Sequence, residues 1–491
     1  MTTTGTKPCG DLGPEKAAAF DYLDRNAAQV ALLSDTLFWF GEPSLQEYES
    51  AKLLADVLEE AGFELERGIS GFDTGFLATF GEGGPVIALH AEYDGLPDNS
   101  QQPGVLEKSA ITEGAPGHCE GHNANATVMA ASALAIRHAM AEHGLDGTLK
   151  VFGAPAEELA LSRPYFVRDG YFDDVDLAFH NHIGMDFHTE YDVVQIGCIA
   201  ADFTFHGETA HAGLAPWRGK DALDAVVLMD VGFAQFREHM EPDLRAHRVI
   251  THGGTQPNII PDRASVWWMF RHPEAAGVKG LFEQARKIAE GAALMTGTRL
   301  EVSVRSAVWP LRCNRTAAEV MQRNIETVGM PAWSAEEQAF ARDVQKAAGA
   351  PTDGLLEGVT PLTGPGPLIG ASNDCGDISW KVPMGRVWFP GTVPGVSFHN
   401  WTAGVPLTSS ITHKGALAGA KAMTGAALDF FMDEGLMEAA KRSFADELDG
   451  TTYEPMLPAE QMPDCSVNGE LMARFREPMA RHYLKERPSF G

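Results

Sequence analysis

Cysteine is scarce and scattered. Six thiols stand at positions 9, 119, 198, 313, 375 and 465, with no Cys-x-x-Cys pair and no cluster. That distribution argues against a disulfide framework and against a structural zinc finger. Positive charge is also short: 38 Lys and Arg face 67 Asp and Glu, for a formal net charge of −29. Such a surface repels phosphate backbones, so no nucleic-acid partner is expected, and an anionic substrate needs a local cationic site. Most of that charge is simply a solvated surface. Apolar runs of membrane-spanning length are missing, and Met1-Thr-Thr-Thr-Gly5 lacks the basic and then apolar pattern of a signal peptide. The expectation is a cytoplasmic chain with no membrane partner. Repeats and low-complexity segments are absent as well.

What is present is length and alternation. A chain of 491 residues with 44% hydrophobic content exceeds one ordinary core and predicts at least two domains. Residues 14–63 carry helical patterns, clearest over 51–61, and residues 63–80 read as strand. Pro85-Val-Ile-Ala-Leu-His90, Gly147-Thr-Leu-Lys-Val-Phe-Gly153 and Asp176-Leu-Ala-Phe-His180 are short apolar strands with helical stretches between them. Alternation of this kind predicts an α/β fold, a mostly parallel mixed sheet flanked by helices. Ligands of such sheets sit beyond the carboxyl ends of the strands. His90, Glu157, Glu158 and His182 all fall at or just past strand ends. From about residue 193 the texture changes to strand, helix, strand, helix, strand. This predicts an inserted α+β domain over 194–309, between catalytic segments 1–193 and 310–491. Residues 433–491 read as a helical extension.

The chemistry concentrates in Gly117-His118-Cys119-Glu120-Gly121-His122-Asn123, a polar turn that opens an Ala-rich helix over 124–140. Glu120 and His122 both carry metal-ligating atoms. Glu157-Glu158, His182 and His399 add two carboxylates and two imidazoles. Hydrolysis of an amide near neutral pH needs a strong nucleophile and a stabilised carbonyl oxygen, and a divalent metal supplies both. Glu157 and Glu158 are adjacent, so one side chain can bind metal while the other faces substrate as the base. Each piece alone has a plainer reading. Taken alone, Glu157-Glu158 is more often a helix N-terminus favoured by the dipole, His180 and His182 read as ordinary partly buried histidines, and His399 as an aromatic-flanked packing residue. Only their joint order is specific.

That order, together with several motifs, resembles the aminoacylase and glutamate-carboxypeptidase-like cocatalytic metallopeptidases. Within them it is most similar to the amidohydrolase branch containing aminobenzoyl-glutamate hydrolase. The resemblance runs over about 35–430. It rests on residues 41–49, His90-Ala-Glu-Tyr-Asp-Gly-Leu-Pro97, residues 117–123, Pro155-Ala-Glu-Glu158, Thr209-Ala-His-Ala-Gly213, Asn258-Ile-Ile-Pro-Asp262, residues 372–380 and Phe398-His-Asn-Trp401. It implies Glu157 as general base and Glu120, His122, Glu158, His182 and His399 as metal ligands, with Asp94 orienting a ligand. It implies that 194–309 is a lid and dimerisation domain, and that His211 from the lid reaches the reacting carbonyl, often across the dimer. Asn258 and Arg271 match groups that hold the substrate's carboxylate or amide; Arg271 is equally readable as a lid salt bridge. The branch usually has Cys where Glu120 stands. A carboxylate there makes the site harder, so Mn²⁺ stands beside Zn²⁺ as the expected cation, one or two per subunit. Cys119 is one residue off and is expected to point elsewhere. A role for His90 or Glu92 is open, and His206 reads as structural.

The expected activity is metal-dependent hydrolysis of a C–N bond in a small N-acyl or N-aroyl amino acid, by a homodimer joined through the lid. One alternative is hydrolytic deamination of an aromatic amine, or urea or amidine hydrolysis, with Phe205, Trp217, Trp267 and Trp268 as candidate aromatic lining. The other is a small-molecule binding protein without turnover, an idea raised by the Glu120 departure.

Overall fold

The computed structural model describes residues 12–491. Cys9 and the N-terminal reading of residues 1–5 lie outside the described residues. Three helices come first: α1 (Pro14–Arg25), α2 (Ala27–Phe40) and α3 (Tyr48–Glu60). Strands β1 (Glu64–Arg67), β2 (Phe76–Glu82) and β3 (Val86–Ala91) lead to α4 (His122–His143), β4 (Gly147–Gly153), α5 (Ser162–Arg168) and β5 (Leu177–Gly184). Next come β6 (Asp192–Gln195), β7 (Gly197–His206), α6 (Ala222–Phe236), β8 (Arg245–His252), β9 (Arg263–His272), α7 (Ala275–Thr296) and β10 (Arg299–Val308). The chain continues through β11 (Leu311–Cys313), α8 (Arg315–Val328), α9 (Ala335–Ala348), α10 (Gly376–Lys381) and β12 (Met384–Pro390). It finishes with α11 (Trp401–Gly404), α12 (Ser410–Met432), α13 (Glu434–Leu448) and α14 (Gly469–Ala480).

The large sheet has six strands in the order β1-β2-β4-β3-β5-β12. β4, β3, β5 and β12 run parallel, while β1 and β2 form an antiparallel edge. This is the expected mostly parallel mixed sheet, with helices on both faces. Strand side chains alternate between faces. Ile87, Leu89, Leu177, Phe179 and Ile183 therefore pack under α4 and α12, and Ala88 and Ala178 pack with Tyr165 and Phe166 of α5. The same alternation puts His90, His180 and His182 on the α5 side. His90 and His180 are register partners, and their rings stack at 5.1 Å. Because β4, β3, β5 and β12 are parallel, the loops after β3, β4 and β12 and the end of β5 meet along one edge of the sheet.

A second sheet, β10-β7-β9-β8, is wholly antiparallel and spans 197–308. α6 and α7 cover one face of it, packing Phe233 and Leu281 against Trp268 and Phe270 of β9. The strand–helix alternation expected for this segment omits one element, β8. Only Ala246 of that edge strand is buried. A strand with so little buried surface carries no apolar alternation to read. The first strand of that alternation is also split. β6 pairs with β11 in a two-stranded ribbon, and β7 enters the second sheet. The C-terminal residues form α13 and α14; Arg476 of α14 bonds Glu42 at 2.8 Å.

α12 reaches β12 through glycines. A Cβ on Gly415 would lie 2.3 Å from the Pro390 carbonyl oxygen, which is main chain and cannot swing away. In an open helix, replacing Gly by Ala gains up to about 1 kcal/mol. Overpacking a tight contact costs about 1–3 kcal/mol. Gly415→Ala is therefore expected to lower stability despite its better helix propensity, read as a fall in the urea midpoint at unchanged slope.

Candidate metal and hydrolytic site

Each loop at the carboxyl edge delivers one part of the site. The turn before α4 passes through Gly121 at φ +96, a conformation that favours glycine. It leaves Glu120 on one side and His122 as the first residue of the helix. After β4, Ala156 (φ 59) and Ala160 (φ 50) bracket a short turn bearing Glu157 and Glu158. His399 itself sits at φ 61. Left-handed backbone at residues with a Cβ costs about 1–2 kcal/mol each, so neighbouring bonds must hold it. The Ala156 amide donates to Glu47 at 2.9 Å, and the His399 amide donates to the Cys119 carbonyl at 3.2 Å.

The imidazoles are aimed by their second nitrogens. His122 Nδ1 meets only acceptors, the Asp94 carbonyl at 3.0 Å and Asp94 Oδ1 at 3.1 Å, so it must carry a proton. His182 Nδ1 likewise donates to the Ile183 carbonyl at 2.9 Å. Both Nε2 atoms are thereby free to ligate. His122 Nε2 is buried without a hydrogen-bond partner and faces Glu157 Oε2 at 3.9 Å. His182 Nε2 stands 3.7 Å from Glu120 Oε1. His399 Nε2 bonds Glu120 Oε2 and lies 3.3 Å from Glu158 Oε2. Ligand atoms of Glu120, His122 and Glu158 all fall within 4.8 Å of one another. An orphaned buried imidazole nitrogen among carboxylates fits a divalent cation with oxygen and nitrogen ligands.

The electrostatics agree. Burial raises the Glu157 carboxyl well above its ordinary range, with Glu158 reinforcing and His122 opposing. Burial lifts Glu158 to about 7. Burial acts on Glu120 in the same sense, but its His399 bond and the nearby imidazoles hold it at about 2. His399 is raised to about 10 by its bonds to Glu120 and Glu158. Burial lowers His122, and Asp94 more than offsets this, so it too is raised. Burial lowers His182, the third imidazole. Protons and metal compete for such atoms, and the carboxylates that raise His122 and His399 also attract a cation.

The structure thus brings together Glu120, His122, Glu158, His182 and His399, with Glu157 and Asp94 beside them. They stand at one end of a cavity of about 940 Å³, which Arg271 also lines. It does not bring His211 or Asn258 there. Both are exposed and lie side by side on two neighbouring loops of the second sheet, β7–α6 and β8–β9, the Ala212 amide donating to the Asn258 carbonyl at 3.0 Å. Arg271 donates to the Gly370 carbonyl at 3.1 Å and makes no ion pair among the described residues. Cys119 packs in an apolar cluster with Val344 and Val393, away from the carboxylates. Of the candidate aromatic lining, only Trp267 borders the cavity. Phe205 and Trp268 are lid core, and Trp217 is 77% exposed. His206 bonds Glu301 at 3.0 Å.

Several supporting residues carry no signal of their own in the sequence. Asn373 Nδ2 donates to Glu157 Oε1 at 2.6 Å. Ser44 Oγ donates to Asp94 Oδ2 at 2.6 Å. Arg163, fully buried, pairs with both Glu92 and Asp374, and its Nε donates to His90 Nδ1 at 3.1 Å. Glu92 also accepts from Asn125 at 2.6 Å and contacts His180 at 3.0 Å, so its oxygens are committed. Ser44, Glu47 and Asn373 lie inside the motifs that carry the resemblance, which is the one available pointer to them. Arg163 lies in none.

Residues 195–295 match the Peptidase dimerisation domain of the M20 family. The chain is 33% identical to one of the subunits of p-aminobenzoyl-glutamate hydrolase from Escherichia coli (strain K12), over 90% of this chain and 97% of that one. The chain belongs to the M20 peptidase family. In this family it stands with the amide hydrolases, and its fold is shared with solved members. A dinuclear metal-binding M20 peptidase from Bacillus subtilis superposes with a TM-score of 0.54 at 19% identity, covering 83% of this chain and 99% of that one. An aminobenzoyl-glutamate utilization protein from Klebsiella pneumoniae gives 0.55 at 18% identity, covering 83% and 97%.

If His399 closes the ligand set, His399→Ala should weaken divalent metal binding by at least the roughly tenfold that loss of a mere orienting partner costs. Calorimetric titration of the metal-stripped protein with Zn²⁺ and Mn²⁺ measures this, and unaltered affinity for both ions contradicts the assignment.

Proposed function

We propose that this M20 hydrolase cleaves the amide bond of a small N-acyl or N-aroyl amino acid. Glu157 is its general base, and Glu120, His122, Glu158, His182 and His399 hold one or two Zn²⁺ or Mn²⁺ ions. The observation that carries the reading is the pairing of two oriented imidazole nitrogens with Glu120 and Glu158, beside a carboxylate held separately by Asn373. A divalent cation there acidifies water and polarises the carbonyl.

Glu157 has one oxygen fixed by Asn373, and the other turns toward His122. Burial gives it an affinity for a proton that an exposed carboxylate lacks. It takes the proton from water as oxygen adds to the carbonyl carbon. It then passes the proton to the leaving nitrogen, the C–N bond breaks, and acid and amine depart. Arg271 lines the same cavity and offers a planar fork for the substrate's carboxylate, in a protein otherwise strongly anionic. Glu120 stands in the position of a ligand, which supports turnover over a binding role.

His211 and Asn258 serve the site in this proposal from a second copy of the chain. Support comes from the dimerisation-domain match and from Leu214 and Trp217 beside His211, exposed at 73% and 77%. The assembly is a homodimer through the lid. The substrate is p-aminobenzoyl-glutamate, for which the Escherichia coli relative is named, or a similar aroyl amino acid. The compartment is the cytoplasm, in keeping with the five free cysteines among the described residues.

Incubation with N-aroyl glutamates and arylamines tests the reaction class. Release of glutamate without ammonia is expected, and ammonia from the arylamines with intact amides overturns the reading. Glu157→Gln should keep the metal stoichiometry of the parent while kcat falls about 100- to 10,000-fold. Full turnover in that variant removes Glu157 from the base role.

A further inference from the structure

The chain between α13 and α14 has no regular secondary structure, yet it is bonded along its length. Tyr453 Oη donates to Asp377 Oδ1 at 2.7 Å, and Trp309 Nε1 donates to the Glu454 carbonyl at 2.9 Å. Trp309 is the residue at which the chain leaves β10 and the second sheet. Arg168 then donates to the Pro458 and Gln461 carbonyls at 3.2 and 2.7 Å. Farther on, Gln46 Nε2 donates to the Cys465 and Val467 carbonyls at 3.2 and 3.1 Å, and Asn468 donates to the Ser44 carbonyl at 3.0 Å. The segment therefore runs from α10, past the exit of the lid, across α5, to the approach of α3.

Gln461 is one of the points where the two bodies meet, beside the Ser306 hydroxyl of β10, which donates to the Ala160 carbonyl, and the shared packing of Ile199 and Ala307. Its Nε2 donates to the Val304 carbonyl of β10 at 2.6 Å and to Tyr165 Oη of α5 at 3.0 Å. One amide nitrogen thus joins the second sheet to the helical layer under the first. Swinging the lid away breaks one of these bonds. The same segment borders the catalytic cavity through Gln461, Met462 and Val467. Met462 is 64% exposed and Val467 37%, apolar groups on a rim that also carries Pro458 and the exposed Asp464. Exposed apolar side chains at a cavity mouth mark a surface meant to be covered.

We propose that residues 453–468 are a strap that fixes the lid angle through Gln461 and walls the substrate cavity through Met462, so that this segment sets the size of the acyl group admitted. The strap rests on the hydrolase reading only for what the cavity holds. Gln461 is a positioning residue acting through the lid, and Met462 touches substrate directly. An aromatic acyl group satisfies the apolar groups of the rim better than acetyl does.

The test uses the full chain with Gln461→Ala, Gln461→Glu and Met462→Ala. Gln461→Glu keeps the side-chain volume and sets an acceptor against the Val304 carbonyl. Hydrogen exchange should speed at least fivefold over residues 302–308 in both Gln461 variants while α4 and α12 exchange as in the parent. The kcat/KM ratio for 2-naphthoyl-glutamate over benzoyl-glutamate should rise at least fivefold in Met462→Ala. Unchanged exchange over 302–308 in Gln461→Glu, or an unchanged ratio in Met462→Ala, overturns the strap. The exchange measurement needs no substrate. A parent that cleaves no member of the acyl series therefore sinks the hydrolase reading, and the strap is then judged on exchange alone.

Discussion

The Asp94 carboxylate is the tie on which the site depends. One oxygen takes the Ser44 hydroxyl at 2.6 Å and the Glu158 amide at 3.0 Å, and the other meets His122 Nδ1 at 3.1 Å. A single side chain after β3 thereby sets the approach to α3, the first turn of α4 and the turn after β4. Its two bonds to protein donors fix its own rotamer. Its third fixes the tautomer of His122 and so the direction of the free Nε2 lone pair. Hydrogen bonds behind the ligands decide ligand orientation as surely as the ligands do.

Around that tie the molecule concentrates buried negative charge and balances it in two different ways. On the α5 side, Arg163 lies fully buried between Glu92 and Asp374. Removing one partner of such a group leaves a bare buried charge and costs about 3–5 kcal/mol. Those carboxylates are committed to structure, which is why Glu92 stands outside the proposed ligand set despite lying close to His122 and His182. At the cavity end, Glu120, Glu157 and Glu158 meet imidazoles instead of guanidinium. Imidazole is a weak charge that exchanges readily with metal, so this half of the cluster can do chemistry.

Much of this is legible in the sequence because period-two alternation survives in β3 and β5 and because parallel strands must share one carboxyl edge. His90, His180 and His182 fall on one face by counting alone. The edge strand β8 is illegible, since it buries almost nothing. Cys119 points away from the carboxylates, as its offset from the ligand position predicts, because Gly121 turns the chain immediately after Glu120. Asn373 and Arg163 give no signal of their own. Asn373 reaches Glu157 across 216 positions of chain. Nothing local distinguishes it from a solvent-facing amide.

The sequence by itself determined the alternating sheet, the inserted α+β unit and the inventory of carboxylates and imidazoles, because periodicity and residue chemistry are local properties. Tertiary structure alone decided which carboxylates are committed to Arg163 and which nitrogen of each imidazole is free. It also decided that His211 and Asn258 lie outside the cavity while the C-terminal segment borders it. Those outcomes turn on distances between residues far apart in the chain, and a hydrogen bond is made or lost within an ångström that no local pattern encodes.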